Sequence, residues 1–293
     1  MPQPVEQFRE HLDALRGPLQ PDQGFFDANG VFWRVAREPA LLLAGMRALL
    51  MQVAHPKVAQ GVADHSRYRD DPLGRGIRTF TAVYAMVFGS ADTAVEAAAR
   101  VRDIHRRVRG VVPAALPAGV DPAYAATDSQ LALWVAATLV DSSVVAYELF
   151  VEPLSAADKE QFYQESKRFG ELFGIARDCY PPGWNDFRAW MNGMLSGPAV
   201  SVTATARDIR RSLLGGTVLT RLLAPANYVM AAMLLPQPLA DAYGLRRNAP
   251  VRLGFRLIAV MVRLAVRLVP RRLRGVPAAR RRERQLRRAR ATV

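Results

Sequence analysis

The residues able to do chemistry concentrate between positions 65 and 110. His65, Arg75, Arg78, Thr79, His105 and Arg109 stand there in a largely apolar run, and the 293-residue chain has only four histidines. A helix is predicted from Ser90 to Gly110. Ser90 or Asp92 can cap its first free N–H groups, and Gly110 is a good C-terminal stop. Within it Ala94, Ala98, Val101, His105 and Val108 recur at spacings of 4, 3, 4 and 3, so they share one face. His105 thus takes a core-facing position, and Arg109, one turn on, borders the same face.

A histidine on a buried helix face has two readings. It is a neutral core residue bonded to a carbonyl or hydroxyl, or a neutral imidazole presented to iron. The residues three and four away are Val101, Arg102, Val108 and Arg109, with no His, Cys, Asp or Glu among them. That argues against zinc or a di-iron centre, which needs several protein ligands. Haem needs one protein ligand and cations for its two propionates, and arginines surround this histidine. Spacing alone leaves both readings open. His55, before Pro56, and His65 are each either pocket residues or structural ones.

Longer patterns add a resemblance. Leu49, Leu50, His55, Pro56, Gly61 and His65 are followed by Asp71-Pro72-Leu73-Gly74-Arg75-Gly76-Ile77-Arg78-Thr79, by Val87-Phe88-Gly89, and by His105, Val108 and Gly110. Trp134, Asp141, Ser142, Tyr147 and Glu148 continue the series. Over residues 35 to 245 the chain resembles the latex-clearing rubber oxygenases and MpaB-type oxygenases. The resemblance implies an all-helical fold that binds haem b and uses dioxygen on a polyisoprenoid or prenyl chain. It also implies His105 as the proximal iron ligand, with Arg75 and Thr79 beside the haem and Arg109 as the arginine that follows. Two positions depart from the family. Arg78 stands where rubber oxygenases carry a lysine, and an arginine can hydrogen-bond dioxygen but neither ligates iron nor releases its proton readily. Around Ala59 no carboxylate replaces the family's glutamate.

The elements that must position these residues read as helices. Val5 to Arg16 is a short polar helix on which His11 is expected to face solvent. Ala40 to Ala54 is a buried helix with Arg47 as its single charge, and its fifteen residues are too few to span a bilayer. The residue before Pro56 should break it. Asp128 to Phe150 is a long apolar helix with Asp141 in its middle. That carboxylate needs a partner, expected among the arginines of the central stretch. Ser155 to Asp158 is a capping box opening the next helix. Two more helices are predicted at Trp184 to Leu195 and Val200 to Leu214. No strand-like alternation is sustained.

Charge divides the chain unevenly. The net charge is +14, but residues 251–293 hold 14 arginines and one acid, Glu283, leaving 26 basic and 25 acidic groups for residues 1–250. Arg252, Arg256, Arg263 and Arg267 fall within an arc of roughly 60° at the helical 100° per residue, which leaves a wide apolar face. Either this is a last core helix with a solvated basic edge, or it is an interfacial helix on anionic lipid. Specific nucleic-acid binding is not expected, because the tail has no aromatic residue for base stacking.

The expectation is a single all-α domain with a haem pocket among its central helices. Its parts are an N-terminal helix and loop (1–34), an oxygenase-like domain (35–245), an amphipathic basic helix (246–270) and a disordered arginine-rich tail (271–293). The expected function is oxidation or cleavage of an apolar, isoprenoid or lipid substrate by haem b iron and dioxygen. Arg78 and Thr79 would be catalytic, while His105, Arg75 and Arg109 would bind the cofactor, with His55, His65 and Asp141 in the pocket. The rival is a non-catalytic haem- or lipid-binding protein on a membrane surface. One cysteine, Cys179, and no recognisable signal peptide fit the cytoplasm, with residues 251–290 meeting the inner face of the membrane.

Overall fold

The computed structural model describes residues 5–20, 22–113, 116–117, 119–215 and 218–292. The chain is 72% helical, and among the described residues its only sheet has two strands. It opens with α1 (Val5–Arg16) and α2 (Val31–Ala36). The apolar run begins as a 3₁₀ turn (Pro39–Ala44) and continues as α3 (Gly45–Val53). Pro56 then starts α4 (Pro56–His65), with His55 extended at its N-cap, as the residue before a proline should be.

Next come α5 (Pro72–Phe88) and α6 (Ala91–His105), packed against each other as a hairpin. The turn between them needs Gly89, because a Cβ there would stand 2.3 Å from the Ala85 carbonyl oxygen. Ser90 caps α6 by accepting from the Thr93 N–H. The helix ends at His105, not at Gly110. Beyond it β1 (Arg109–Val111) pairs antiparallel with β2 (Ala123–Ala125), Gly110 opposite Tyr124. The strand gives those backbone groups cross-strand partners in place of the intrahelical ones that a continued helix would have supplied.

The centre of the molecule is α7 (Ser129–Phe150), capped by Asp128. Trp134, Tyr147 and Phe150 on it are fully buried, each stabilising by about 2–3 kcal/mol. By length and composition α7 is the one described helix able to cross a membrane, yet 67% of its apolar window is covered by other helices. After it follow α8 (Ala156–Glu171), opened by the predicted capping box at Ser155 and Asp158, then α9 (Trp184–Ser196) and α10 (Ala204–Gly215). The chain ends with α11 (Val218–Leu234), α12 (Gln237–Ala242), α13 (Ala249–Leu268), α14 (Arg271–Arg274) and α15 (Pro277–Thr292).

Three expectations are corrected. The described part of the arginine-rich tail is helical and clasped to the body rather than disordered. Arg274 donates to both carboxylate oxygens of the buried Glu38 (2.7 and 2.9 Å), and Arg37 to both of Glu283 (2.8 and 3.2 Å). Val276 and Ala279 are buried, and a Cβ on Gly275 would lie 2.8 Å from Arg37 Nη2. Charge counting misses this, because one acid on each side sets the register. Asp141, secondly, pairs with Arg47 (2.5 Å) and Arg188, neither of them from the central stretch. Finally, His11 is partly buried, with Nε2 2.9 Å from the Glu171 carbonyl oxygen.

Candidate functional site

The α5–α6 hairpin sets the geometry of the site. From the turn, Arg75 lies 13 residues back and His105 about as far forward, roughly 20 Å along each helix. The two residues therefore stand at the same end of the hairpin. Ala94 and Ala98 on α6 are buried, so the predicted inward face is real, and His105 sits at its last turn, partly buried, with its ring 6.5 Å from that of Phe173. Burial pushes the His105 pKa down, and Arg102 adds to the shift, so the imidazole is neutral. Among the described residues it makes no hydrogen bond.

Arg75 is also without a partner. It is partly buried, burial and then Arg78 lower its pKa, and no carboxylate or carbonyl among the described residues meets its guanidinium. Such a cation is open to pairing with an anion. Arg78 and Thr79 are exposed. Arg78 donates to Asp71 (2.9 Å), the N-cap of α5, and Thr79 Oγ1 donates to the Arg75 carbonyl (2.9 Å). Around them Ile77 and Phe80 on α5 and Ile104 on α6 turn large apolar surface outward.

The remaining candidates lie elsewhere. Arg109, on β1 and exposed, no longer shares a helix with His105. Its carbonyl lies 3.2 Å from His65 Nε2, and beside them Tyr124 donates to Asp64 (2.5 Å). His55 is at the opposite end of α4 from His65. Asp141 is deep in the core, where Arg47 also donates to Ser142 (2.6 Å) and to the Leu234 carbonyl (2.8 Å). Helix length thus puts His105 and Arg75 at the same end of the hairpin, with Arg78 and Thr79 about one turn nearer the middle of α5, and Arg109, His65, His55 and Asp141 lie on other elements. Sequence reading named Arg102 three residues before His105 but did not foresee that it is buried over the Phe8 ring (4.8 Å).

Residues 33–264 match the family described as "ER-bound oxygenase mpaB/B'/Rubber oxygenase, catalytic domain". The chain belongs to this family. Uncharacterized proteins of Mycobacterium bovis and Mycobacterium tuberculosis are each 25% identical to it over 232 residues, covering 76% of this chain and 88% of theirs. No solved structure matches it significantly.

In this MpaB/rubber-oxygenase catalytic domain Ala59, in the run where the resemblance leads one to expect a glutamate, is fully buried in the apolar core. His55, four residues earlier in sequence, is partly buried. Its Nδ1 has no hydrogen bond, and its pKa is lowered to about 4 by burial first and Lys57 second, with Asp128 opposing. An unfolded histidine takes up its proton near 6.5, so between pH 6.5 and 4 the unfolded state binds more protons than the folded one. Stability present above pH 6.5 should therefore drain away as pH falls through that window. Thermal midpoints measured from pH 7.5 to 4 should fall less steeply in His55→Leu than in the wild type; parallel curves would remove His55 as the cause.

Proposed function

We propose that this oxygenase holds haem b at the open end of the α5–α6 hairpin and acts with dioxygen on an apolar substrate of isoprenoid or lipid type. The observation that carries the reading is that two groups without a protein partner among the described residues stand toward the same end of the hairpin. His105 offers a neutral imidazole without a hydrogen bond, and Arg75 a partly buried guanidinium without an anion. One suits iron, the other a propionate. The apolar surface of Ile77, Phe80 and Ile104 around them suits a flat macrocycle and a hydrocarbon chain better than water.

When bound, haem supplies the iron chemistry that activates dioxygen. The chain's own residues bind and orient. His105 stays neutral because burial disfavours its charged form. Arg78, which already donates to Asp71, has further guanidinium N–H groups with which to donate a hydrogen bond. Thr79, tied to the Arg75 carbonyl, keeps its hydroxyl beside that arginine. Arg109, exposed on β1, we place at the rim rather than on the cofactor. With a lone cysteine, which suits a reducing compartment, we assign the protein to the cytoplasm.

The absorption spectrum and iron content of the purified protein test this. Wild type and His65→Ala should carry a Soret band and haem at similar occupancy, and His105→Ala should be nearly colourless. Equal haem in His105→Ala and wild type would remove His105 from the site. The buried Ala59 favours a second reading, a haem protein without turnover, because it leaves no carboxylate to handle protons there. Dioxygen consumption by the haem-loaded protein with a polyprenyl substrate separates the two.

A further inference from the structure

We propose that the outward face of α13 docks the protein on an anionic lipid bilayer. The helix is apolar on two opposite sides. Its inner side, with Phe255, Ile258, Ala259 and Val262, packs against Met230, Leu234 and Phe150. On the outer side Leu253, Leu257, Val260, Met261, Leu264 and Leu268 are 51–79% exposed. At 100° per residue these six fall in a stripe about 100° wide, and the inner group lies across the helix from it. Core packing therefore explains only one of the two apolar sides.

The patch extends onto α11. Arg247 donates to the Ala232 and Leu235 carbonyls, and Gly254 faces Val229, so α13 runs antiparallel to α11. That direction brings the exposed Leu222 and Val218 beside the C-terminal half of α13. A contiguous apolar surface of this kind marks an interaction site.

Charge selects the occupant. Arg252, Arg256, Arg263 and Arg267 line one edge of the stripe, all exposed, and Arg271 and Arg272 stand at its end. None has a carboxylate partner among the described residues, and no Asp or Glu occurs between Asp241 and Glu283. A second copy of the chain would bring the same uncompensated arginines into the interface. A nucleic acid would press phosphates against leucine and methionine. A leaflet of anionic headgroups over hydrocarbon satisfies both the apolar stripe and its arginine edge. Docked this way, α13 would lie in the plane of the surface rather than cross it.

The test is co-sedimentation of the full-length protein with vesicles of phosphatidylcholine and phosphatidylserine, about 7:3, and of phosphatidylcholine alone. The wild type should bind the mixed vesicles, and added salt or omission of phosphatidylserine should weaken binding. The double substitution Leu257→Glu/Leu264→Glu, at exposed positions, should keep the helical circular dichroism and melting temperature while reducing vesicle affinity on the order of 100-fold or more. The proposal is overturned if the wild type ignores mixed vesicles or prefers duplex DNA at matched ionic strength. It is equally overturned if the double variant binds vesicles like the wild type, or changes only from dimer to monomer. Vesicle binding is read without turnover or haem, so its failure leaves the oxygenase reading untouched.

Discussion

Deleting residues 271–293 should destabilise the folded protein by about 5 kcal/mol, a large share of the 5–15 kcal/mol that holds a typical domain together. A solvated basic tail would be removable at almost no cost. Here the tail completes a buried ion-pair network. Glu38 is 1% exposed, and without Arg274 it keeps only Arg37, 3.7 Å away. Arg37, buried as well, loses both carboxylate oxygens of Glu283 and the Arg271 carbonyl, and Trp33 Nε1 loses its acceptor. Breaking a buried pair from one side costs about 3–5 kcal/mol, because the surviving charge stays in low dielectric. The lost burial of Val276 and Ala279 adds about 1–2 kcal/mol.

A cycle of Arg274→Ala, Glu38→Ala and the double variant isolates the contact. The single changes should each be strongly destabilising and the double much less than their sum. Arg284→Ala and Arg287→Ala, at exposed sites on α15, should stay within about 0.5 kcal/mol of wild type in the same denaturation assay. If Arg274→Ala proved as mild as those two, the clasp would contribute nothing to folding.

The same contrast explains what the sequence made legible. Local signals survived. The capping box at Ser155, the proline start at Pro56 and the apolar period from Ala94 to His105 each depend on neighbours within one helical turn, and each stands in the structure. Signals requiring a distant partner did not. Gly110 reads as a helix stop until Tyr124, fourteen residues on, pairs with it as a strand. Arg47 and Asp141 were visible as single charges in apolar runs, but nothing local says that one belongs to the other. At the hairpin it is the family resemblance, not any local signal, that names His105, Arg75, Arg78 and Thr79 as a group. It did not foresee Arg109 on a strand, because the residue that follows a helix depends on what waits beyond its end.

Asp141→Ala should cost at least about 3–5 kcal/mol, and the reason is what it leaves behind. Arg47 lies on α3 with its side chain 5% exposed, donating at once to Asp141, to Ser142 and to the Leu234 carbonyl. Those three bonds join α3 to α7 and α11 at the centre of the fold. Removing the carboxylate strands a charge that cannot reach water. Arg188, on α9, pairs with the same carboxylate from a side chain 42% exposed, so Arg188→Ala should cost about 1 kcal/mol or less. The decisive variant is Arg47→Met with Asp141→Leu. It removes both charges and fills similar volume, and replacement of a buried pair by apolar groups is often neutral. The Leu234 carbonyl would still lose its donor, a penalty of about 1–3 kcal/mol. Denaturant midpoints should therefore place the double variant well above Asp141→Ala and somewhat below wild type. Were the double variant as unstable as the sum of its two single changes, the two residues would be uncoupled, and stranding of Arg47 could not be the cause of the loss.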